Sequence, residues 1–277
     1  MSLTIREKRA RFAELHASPG CFVIPNPWDV GSAKVLASLG FKALATTSAG
    51  MAFAAGLPDN GVNRAYALAH IRALCDAVDL PVNADFEDGF GATADEVYES
   101  AKLCVGAGVA GFSIEDYSGD RDAPFFTPRE AVERLRAARA AINASGERVL
   151  LTARSEVVLH GGADGLSEAL RRLESFAEAG ADVLYAPGLK TAEHVKDVLK
   201  VAGKLPVNVL VGSPGFTVAE LADLGVKRIS VGGALARAAW GAFIRAAKEI
   251  ADQGTFSRLA EGASYAELNA LFARQKS

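Results

Sequence analysis

At 277 residues, with a formal net charge of −3, 27 glycines, half its residues hydrophobic and about a quarter charged, the chain has the make-up of an ordinary folded domain and not of a disordered one. Its Lys and Arg residues are scattered over prospective helices with no basic field to gather a polyanion, which argues against nucleic acid as a partner. Cys21, Cys75 and Cys104 are odd in number and lack C-x-x-C spacing, which argues against a disulfide framework or zinc knuckle and leaves them as small buried hydrophobes in a reducing compartment.

The chain opens Met1-Ser2-Leu3-Thr4-Ile5-Arg6-Glu7-Lys8-Arg9, charged where a signal peptide needs an apolar core. No later stretch approaches the roughly 18 apolar residues of a membrane span, so a cytoplasmic protein with no membrane partner is expected. An amphipathic helix over residues 5–15 comes first and reads as a plug beneath the strands. Short apolar or β-branched runs then alternate with stretches of helical period. The predicted strands cover 21–25, 43–47, 82–85, 111–115, 149–153, 183–186, 207–211 and 228–231. The helices between and after them cover 32–39, 64–78, 94–107, 128–143, 166–179, 192–201, 218–224 and 234–253. Gly40, Gly108, Gly180 and Gly225 stand where a left-handed helix cap is wanted. Thr127-Pro128-Arg129-Glu130 is a helix start, with Thr127 as N-cap and Glu130 completing a capping box.

Eight strands each followed by a helix bury both sheet faces most simply by closing into a (β/α)8 TIM barrel, an α/β fold with parallel strands. An open doubly wound sheet would want a glycine-rich turn after the first strand, and Ile24-Pro25-Asn26-Pro27-Trp28-Asp29 is not one. One domain is expected over 1–277, with the barrel at about 20–250 and a C-terminal helical extension at about 251–277. The extension carries a helix at 265–273, compatible with packing on its own subunit or swapped onto a neighbour.

Function in such barrels gathers at the C-terminal strand ends, and here these are polar. Asn26 and Asp29 follow the first strand, Thr47 and Ser48 the second, Asp85 and Glu87 the third, Glu115 and Asp116 the fourth, Arg154 and Glu156 the fifth, while Asn208 lies within the seventh. Asp85 and Glu87, at i and i+2 of an extended segment, should face one way with Phe86 turned into packing. Glu115 would add a third acid, and three carboxylates at one mouth repel unless a cation joins them. Oxygen-only donors suit Mg2+ or Mn2+. Asp88 and Asp116 read equally well as turn residues. Arg154 ends an apolar strand and must meet an anion: a substrate carboxylate, an internal partner such as Glu156 or Glu115, or both. The small residues Thr46-Thr47-Ser48-Ala49-Gly50 could bring backbone N–H groups close to a ligand.

These residues carry a family pattern. Thr47-Ser48-Ala49-Gly50, Leu57-Pro58-Asp59, Ala84 to Gly91, Ser113-Ile114-Glu115-Asp116 and Thr152-Ala153-Arg154-Ser155-Glu156, in that order and spacing, resemble the isocitrate lyase/phosphoenolpyruvate mutase superfamily from about Phe22 to Ala247. The resemblance implies an Mg2+-dependent carbon–carbon lyase acting on a small 2-oxo or 2-hydroxy carboxylate through an enolate-like intermediate. It implies Asp85 as a direct metal ligand, with Asp59, Glu87 and Glu115 holding metal-bound waters. Thr47, Ser48, Ala49, Gly50, Arg154 and Asn208 would bind substrate, Asn208 at its far carboxylate, and Asp59, Glu115 and Arg154 would carry catalysis. It further implies a homo-oligomer, a tetramer or dimer.

The departures matter as much. Isocitrate and methylisocitrate lyases carry Lys-Lys-Cys-Gly-His after the fourth strand, where this chain reads Asp116-Tyr117-Ser118-Gly119-Asp120, which argues against those two activities. The Lys and Asn-Ser arrangement of phosphonate enzymes is missing too, making P–C bond chemistry the lesser alternative. Glu87 replaces a more common Asp. The loop 117–126 has the length of a lid or is a passive surface loop, and His160 could donate a proton beside it. A 2-oxo acid binding protein without turnover is a further alternative. A sugar-phosphate aldolase using Gly212-Ser213-Pro214-Gly215 and Gly232-Gly233 would lack its Schiff-base lysine and is the weakest reading.

Overall fold

A strand buried on both faces and a helix with one apolar side must share a core, and repetition of that pair produces the architecture of this chain. A computed structural model describes residues 2–120 and 122–273. In it β1 (Phe22–Ile24), β2 (Leu44–Ala45), β3 (Val82–Asp85), β4 (Gly111–Glu115), β5 (Leu150–Arg154), β6 (Val183–Tyr185), β7 (Val207–Leu210) and β8 (Arg228–Ser230) form one parallel sheet ordered β1-β8-β7-β6-β5-β4-β3-β2. Across the seam between β1 and β2, the Ala45 N–H donates to the Pro25 carbonyl at 3.1 Å. The expected barrel is therefore present and nearly closed, with helices around it.

The predicted helices fall within two residues of their expected bounds, from Ile5–Ala17 at one end of the chain to Tyr265–Ala273 at the other. Gly40, Gly108, Gly180 and Gly225 take φ of +85°, +97°, +99° and +96°, the left-handed cap conformation that costs other residues most. The Thr127 capping box forms in both directions. Two short helices were not expected, Ser48–Ala54 and Val157–His160, and both begin where a strand ends at the mouth.

The N-terminal helix closes the opposite end. Phe12 is fully buried against Ile24, Ala43, Ala45 and Ala110. Lys8 Nζ donates to the carbonyls of Cys75 and Val78, and the Arg9 guanidinium donates to those of Val105 and Val109 while pairing with Glu147 at 2.7 Å. The plug is thus bolted to the carbonyl ends of surrounding elements. At the other terminus Glu249 accepts from Thr255, Ser257 and Arg258 and fixes the turn after helix Ala234–Gln253. Helix Tyr265–Ala273 then packs on Val30–Ser38 of its own chain, yet Phe243, Phe256, Leu259 and Tyr265 stay exposed. All three cysteines are free, Cys75 and Cys104 buried. Among the described residues no helix is long and apolar enough to cross a membrane. Arg121 of the loop 117–126 and residues 274–277 of the extension lie outside the described residues.

Candidate active site

The C-terminal strand ends surround a cavity of about 330 Å³, to which Thr47, Ser48, Ala49, Asp59, Asp85, Arg154 and Asn208 all contribute. Asn26 holds its rim together: its Nδ2 donates to the Thr46 carbonyl at 2.8 Å, and its Oδ1 accepts from the N–H groups of Val231 and Gly232. Asp29 does not join it. It is exposed and caps helix Val30–Ser38, accepting from Ser32 N–H at 2.7 Å; an acid one residue before a helix serves the unpaired N–H groups there.

The small-residue segment after β2 is a helix start and not a loop. Thr47 Oγ1 accepts from Gly50 N–H, and the Ser48 N–H and hydroxyl both donate to Asp85 Oδ2, at 2.9 and 3.0 Å. Ser48 N–H is therefore already committed to Asp85, and a ligand at this wall has to compete for it. Gly50 sits behind the wall: a Cβ there would lie 2.7 Å from Thr47 Cγ2 and 2.8 Å from Trp28 Cβ. Gly50 is thus closely packed, and it is not among the residues that line the cavity.

Charge is concentrated at the ends of β3 to β5. Arg154 Nη1 pairs with Asp85 Oδ1 at 2.9 Å, and its Nε lies 3.3 Å from Glu115 Oε2 and closer still to Glu156 Oε1. The internal ion pairs expected of Arg154 are present, with both Glu115 and Glu156. Burial would lower its pKa, but the three carboxylates outweigh that and hold it well above the usual value. Glu156 feels the reverse balance, burial raising it and Arg154 bringing it below the usual range. Glu115 stays well above that range because burial dominates.

Glu87 departs from the expected geometry. The chain leaves the extended conformation after Asp85, Glu87 takes φ of +47°, and Phe86 is fully buried as anticipated. Asp85 lines the main cavity, whereas Glu87 and Glu115 face an adjoining hollow of about 220 Å³ under Tyr117. The acids thus meet at one end of the barrel but from two hollows, with Arg154 touching both sets. Glu87 Oε1 is buried without a hydrogen-bond partner, and burial, then the charges of Asp85, Asp59 and Asp88, push its carboxyl up to about 8. Asp59 stands at the exposed rim; partial burial of its carboxyl and the nearby Asp85 raise it.

Asp88 is a turn residue, bonding Phe90 N–H and pairing with Arg134 at 2.8 Å. Asp116 does more than turn the chain. It is buried and accepts from Ser155 Oγ and Glu156 N–H, both at 2.8 Å, and from Arg172 at 3.2 Å, which fixes the backbone that presents Arg154 and Glu156. The following loop folds back on itself through a Tyr117 to Phe125 bridge. Tyr117 stacks on His160 at 4.9 Å, and His160 reaches Glu156 at 3.5 Å.

Tyr185 and Arg228 are among the cavity residues that escaped the sequence. Tyr185, buried, lies with its ring centroid 5.2 Å from the Arg154 guanidinium, and burial pushes its hydroxyl up to about 12. Arg228 enters from the first residue of β8. Strand register places Arg154 beside Tyr185, Tyr185 beside Asn208 and Asn208 beside Arg228, and the alternation of polar with apolar residues in those strands was the available signal.

Comparison with known proteins identifies the family and the fold. A family model for phosphoenolpyruvate phosphomutase matches residues 12–251. An uncharacterized protein of Mycobacterium tuberculosis H37Rv is 32% identical, over 94% of this chain and 95% of its own. The 2-methylisocitrate lyase of Bacillus subtilis 168 is 26% identical, over 79% and 73% of the two chains. A crystal structure from Burkholderia cenocepacia J2315, provisionally designated a lyase/mutase, superposes with a TM-score of 0.93 at 48% identity, over 97% of each chain. With the match spanning the barrel and the acidic mouth in place, the chain belongs to the isocitrate lyase/phosphoenolpyruvate mutase superfamily.

Proposed function

We propose that this chain is an Mg2+-dependent lyase that cleaves a C–C bond in, or decarboxylates, a small 2-oxo or 2-hydroxy carboxylate through an enolate-like intermediate. The observation that carries the reading is the excess of acid at the mouth: Asp85, Glu115 and Glu156 share one largely buried guanidinium, and beside them Glu87 Oε1 is buried with no partner.

Among the described residues no three His, Cys, Asp or Glu groups form a ready-made metal cage. The donors nevertheless fit a hydrated divalent ion, being all oxygen, in charge excess, and including one unfilled buried acceptor. Asp85 would hold Mg2+, or Mn2+, directly, with Glu87 and Glu115 holding its waters. When bound, the ion supplies Lewis-acid polarisation of the substrate's 2-oxo or 2-hydroxy group.

The chain's own residues do the rest. Arg154 offers a planar fork to the substrate carboxylate once its acids are otherwise engaged. Asp59, at the rim with its carboxyl raised, accepts and returns the proton that cleavage moves. Thr47, Ser48 and Ala49 keep the wall slim beside the reacting atoms, and the Tyr117 flap, pinned by His160, limits water. The relative named as a 2-methylisocitrate lyase supports C–C chemistry, although the absent cysteine loop argues for a different acid as substrate. The family model's phosphomutase description keeps P–C cleavage as the second reading. The exposed apolar residues Phe243, Phe256, Leu259 and Tyr265 suit a homo-oligomer, a dimer or tetramer, whose C-terminal helices cover one another.

The test is a thermal-shift panel of 2-oxo and 2-hydroxy acids with and without Mg2+, followed by product analysis of each hit. Release of pyruvate with CO2 or a second acid supports the lyase, and inorganic phosphate from a phosphonate supports the second reading. Ligand binding that EDTA leaves unchanged defeats the proposal.

A further inference from the structure

Breaking a C–C bond leaves its electron pair on one fragment, and the carbon that keeps the pair must gain a proton before that fragment departs. Of the acids that line the cavity, Asp59 stands at the exposed rim, where it attends the substrate's 2-oxygen, and Asp85 is engaged by Arg154 and Ser48. Tyr185 lies deeper, 7% exposed, and burial, which raises its hydroxyl to about 12, keeps it protonated at neutral pH. A carbon formed within the cavity therefore has a neutral O–H group beside it.

The direction of that O–H follows from its neighbours. Arg228, 3% exposed, can only donate, and its Nε donates to Asn208 Oδ1 at 2.9 Å. This fixes the amide, whose Nδ2 donates to Ser230 Oγ at 2.9 Å. Ser230 receives from Asn208 and has its own proton to give to the Tyr185 oxygen, with which it hydrogen-bonds. Each donor in the series points toward the phenol oxygen, which leaves the Tyr185 proton for the cavity. Two cations flank what loss of that proton creates. The Arg154 guanidinium lies 5.2 Å from the Tyr185 ring centroid, and Arg228 feels the Tyr185 charge. The other neighbours of Arg228 are neutral, Thr152 at 3.0 Å and His16 at 3.3 Å, and among the described residues no carboxylate pairs with it. A buried cation without an anion is relieved when one forms beside it.

We infer that Tyr185 is a catalytic acid, its O–H bond breaking as the proton passes to the carbon of the enolate-like intermediate and forms the C–H bond of the released fragment. The electron pair of the broken O–H bond stays on the phenolate oxygen, between Arg154 and Arg228, and takes a proton from water once the fragment has gone. Carbon bearing an enolate's electron pair is a stronger base than a phenolate, so even a weak acid gives up its proton to it. Ser230 is then a positioning residue that turns the phenol. The assignment rests on the function proposed above, because it is that reaction which generates the basic carbon.

Pyruvate in D2O is the probe, since exchange of its methyl protons for deuterium demands proton transfer at a carbon of this kind and is read directly by NMR. The wild type with Mg2+ should catalyse the exchange. Tyr185→Phe should slow it by about 100- to 10,000-fold, the usual worth of a general acid or base, while oxalate, a planar mimic of the enolate, still binds in calorimetry. Ser230→Ala should cost about fivefold, the worth of one hydrogen bond. No exchange in the wild type overturns the inference. So does loss of oxalate binding together with exchange in Tyr185→Phe, because the residue would then be holding the site together. Mg2+-dependent exchange untouched by Tyr185→Phe would sink this inference and spare the proposed function. Exchange that needs Tyr185 but not Mg2+ would do the opposite.

Discussion

Arg154→Met gives a direct measure of how strongly the acidic mouth depends on its guanidinium. The variant keeps a long side chain but removes the cation that contacts Asp85, Glu115 and Glu156. Removing one partner of a buried ion pair costs about 3–5 kcal/mol. With an unfolding entropy of about 2 cal/mol/K per residue, a chain of this length loses about 0.6 kcal/mol per degree, so the melting temperature should fall by roughly 5–9 °C at neutral pH. The sign with pH is the sharper test. In the wild type Arg154 holds Glu156 below the usual range; without it, burial and mutual repulsion leave Glu156 and Glu115 above their unfolded values. The folded variant then binds protons more readily than the unfolded chain, so its stability is greatest at low pH and is lost as pH rises through the folded pKa values. Urea denaturation at about pH 5 and about pH 8 should show the deficit shrinking at the lower pH. A deficit equal at both pH values, or one below about 1 kcal/mol, would refute the charge account of the mouth.

His16 predicts a slope of opposite sense. Its folded pKa of about 3 lies below the ordinary 6.5, so the stability from keeping it neutral is complete above pH 6.5 and is lost as pH falls below that, at about 1.4 kcal/mol per pH unit. His16→Gln should remove about 2 kcal/mol of acid sensitivity between pH 6.5 and about pH 5, read by urea titrations; an unchanged slope contradicts the neutral assignment. Gly50→Ala should cost about 1–3 kcal/mol by overpacking against Thr47 and Trp28, with an unaltered urea m-value, and a neutral outcome would show that this wall can yield.

Much of the fold could be read from the chain because its punctuation is local. A glycine that must adopt positive φ, such as Gly108 or Gly180, marks a helix end whatever packs against it, and the Thr127 capping box forms from residues three apart. The helix Ser48–Ala54 could not be read this way, since Ser-Ala-Gly-Met-Ala-Phe-Ala is too short and too small-sided to show a period. The acids Asp85, Glu87 and Glu115 stood out because charge at a strand end is conspicuous. Their division between two hollows did not, since it follows from the left-handed turn at Glu87, a non-glycine conformation that residue type does not announce. Arg228 was missed for a different reason. Its meaning depends on the lack of an anion among Asn208, Thr152 and His16, which come from three distant segments, and a missing long-range partner leaves no local mark.

The bolted N-terminal helix has a kinetic consequence. With Phe12 and its neighbours stoppering the far end, the barrel is a blind well and not a tunnel, so whatever enters must depart by the same lip. When a bond breaks inside such a well, the fragment lying uppermost goes first and the one at the base waits its turn. On the lyase reading proposed above, departure is sequential, and the base fragment, still occupying the bottom of the well, competes with the next incoming molecule.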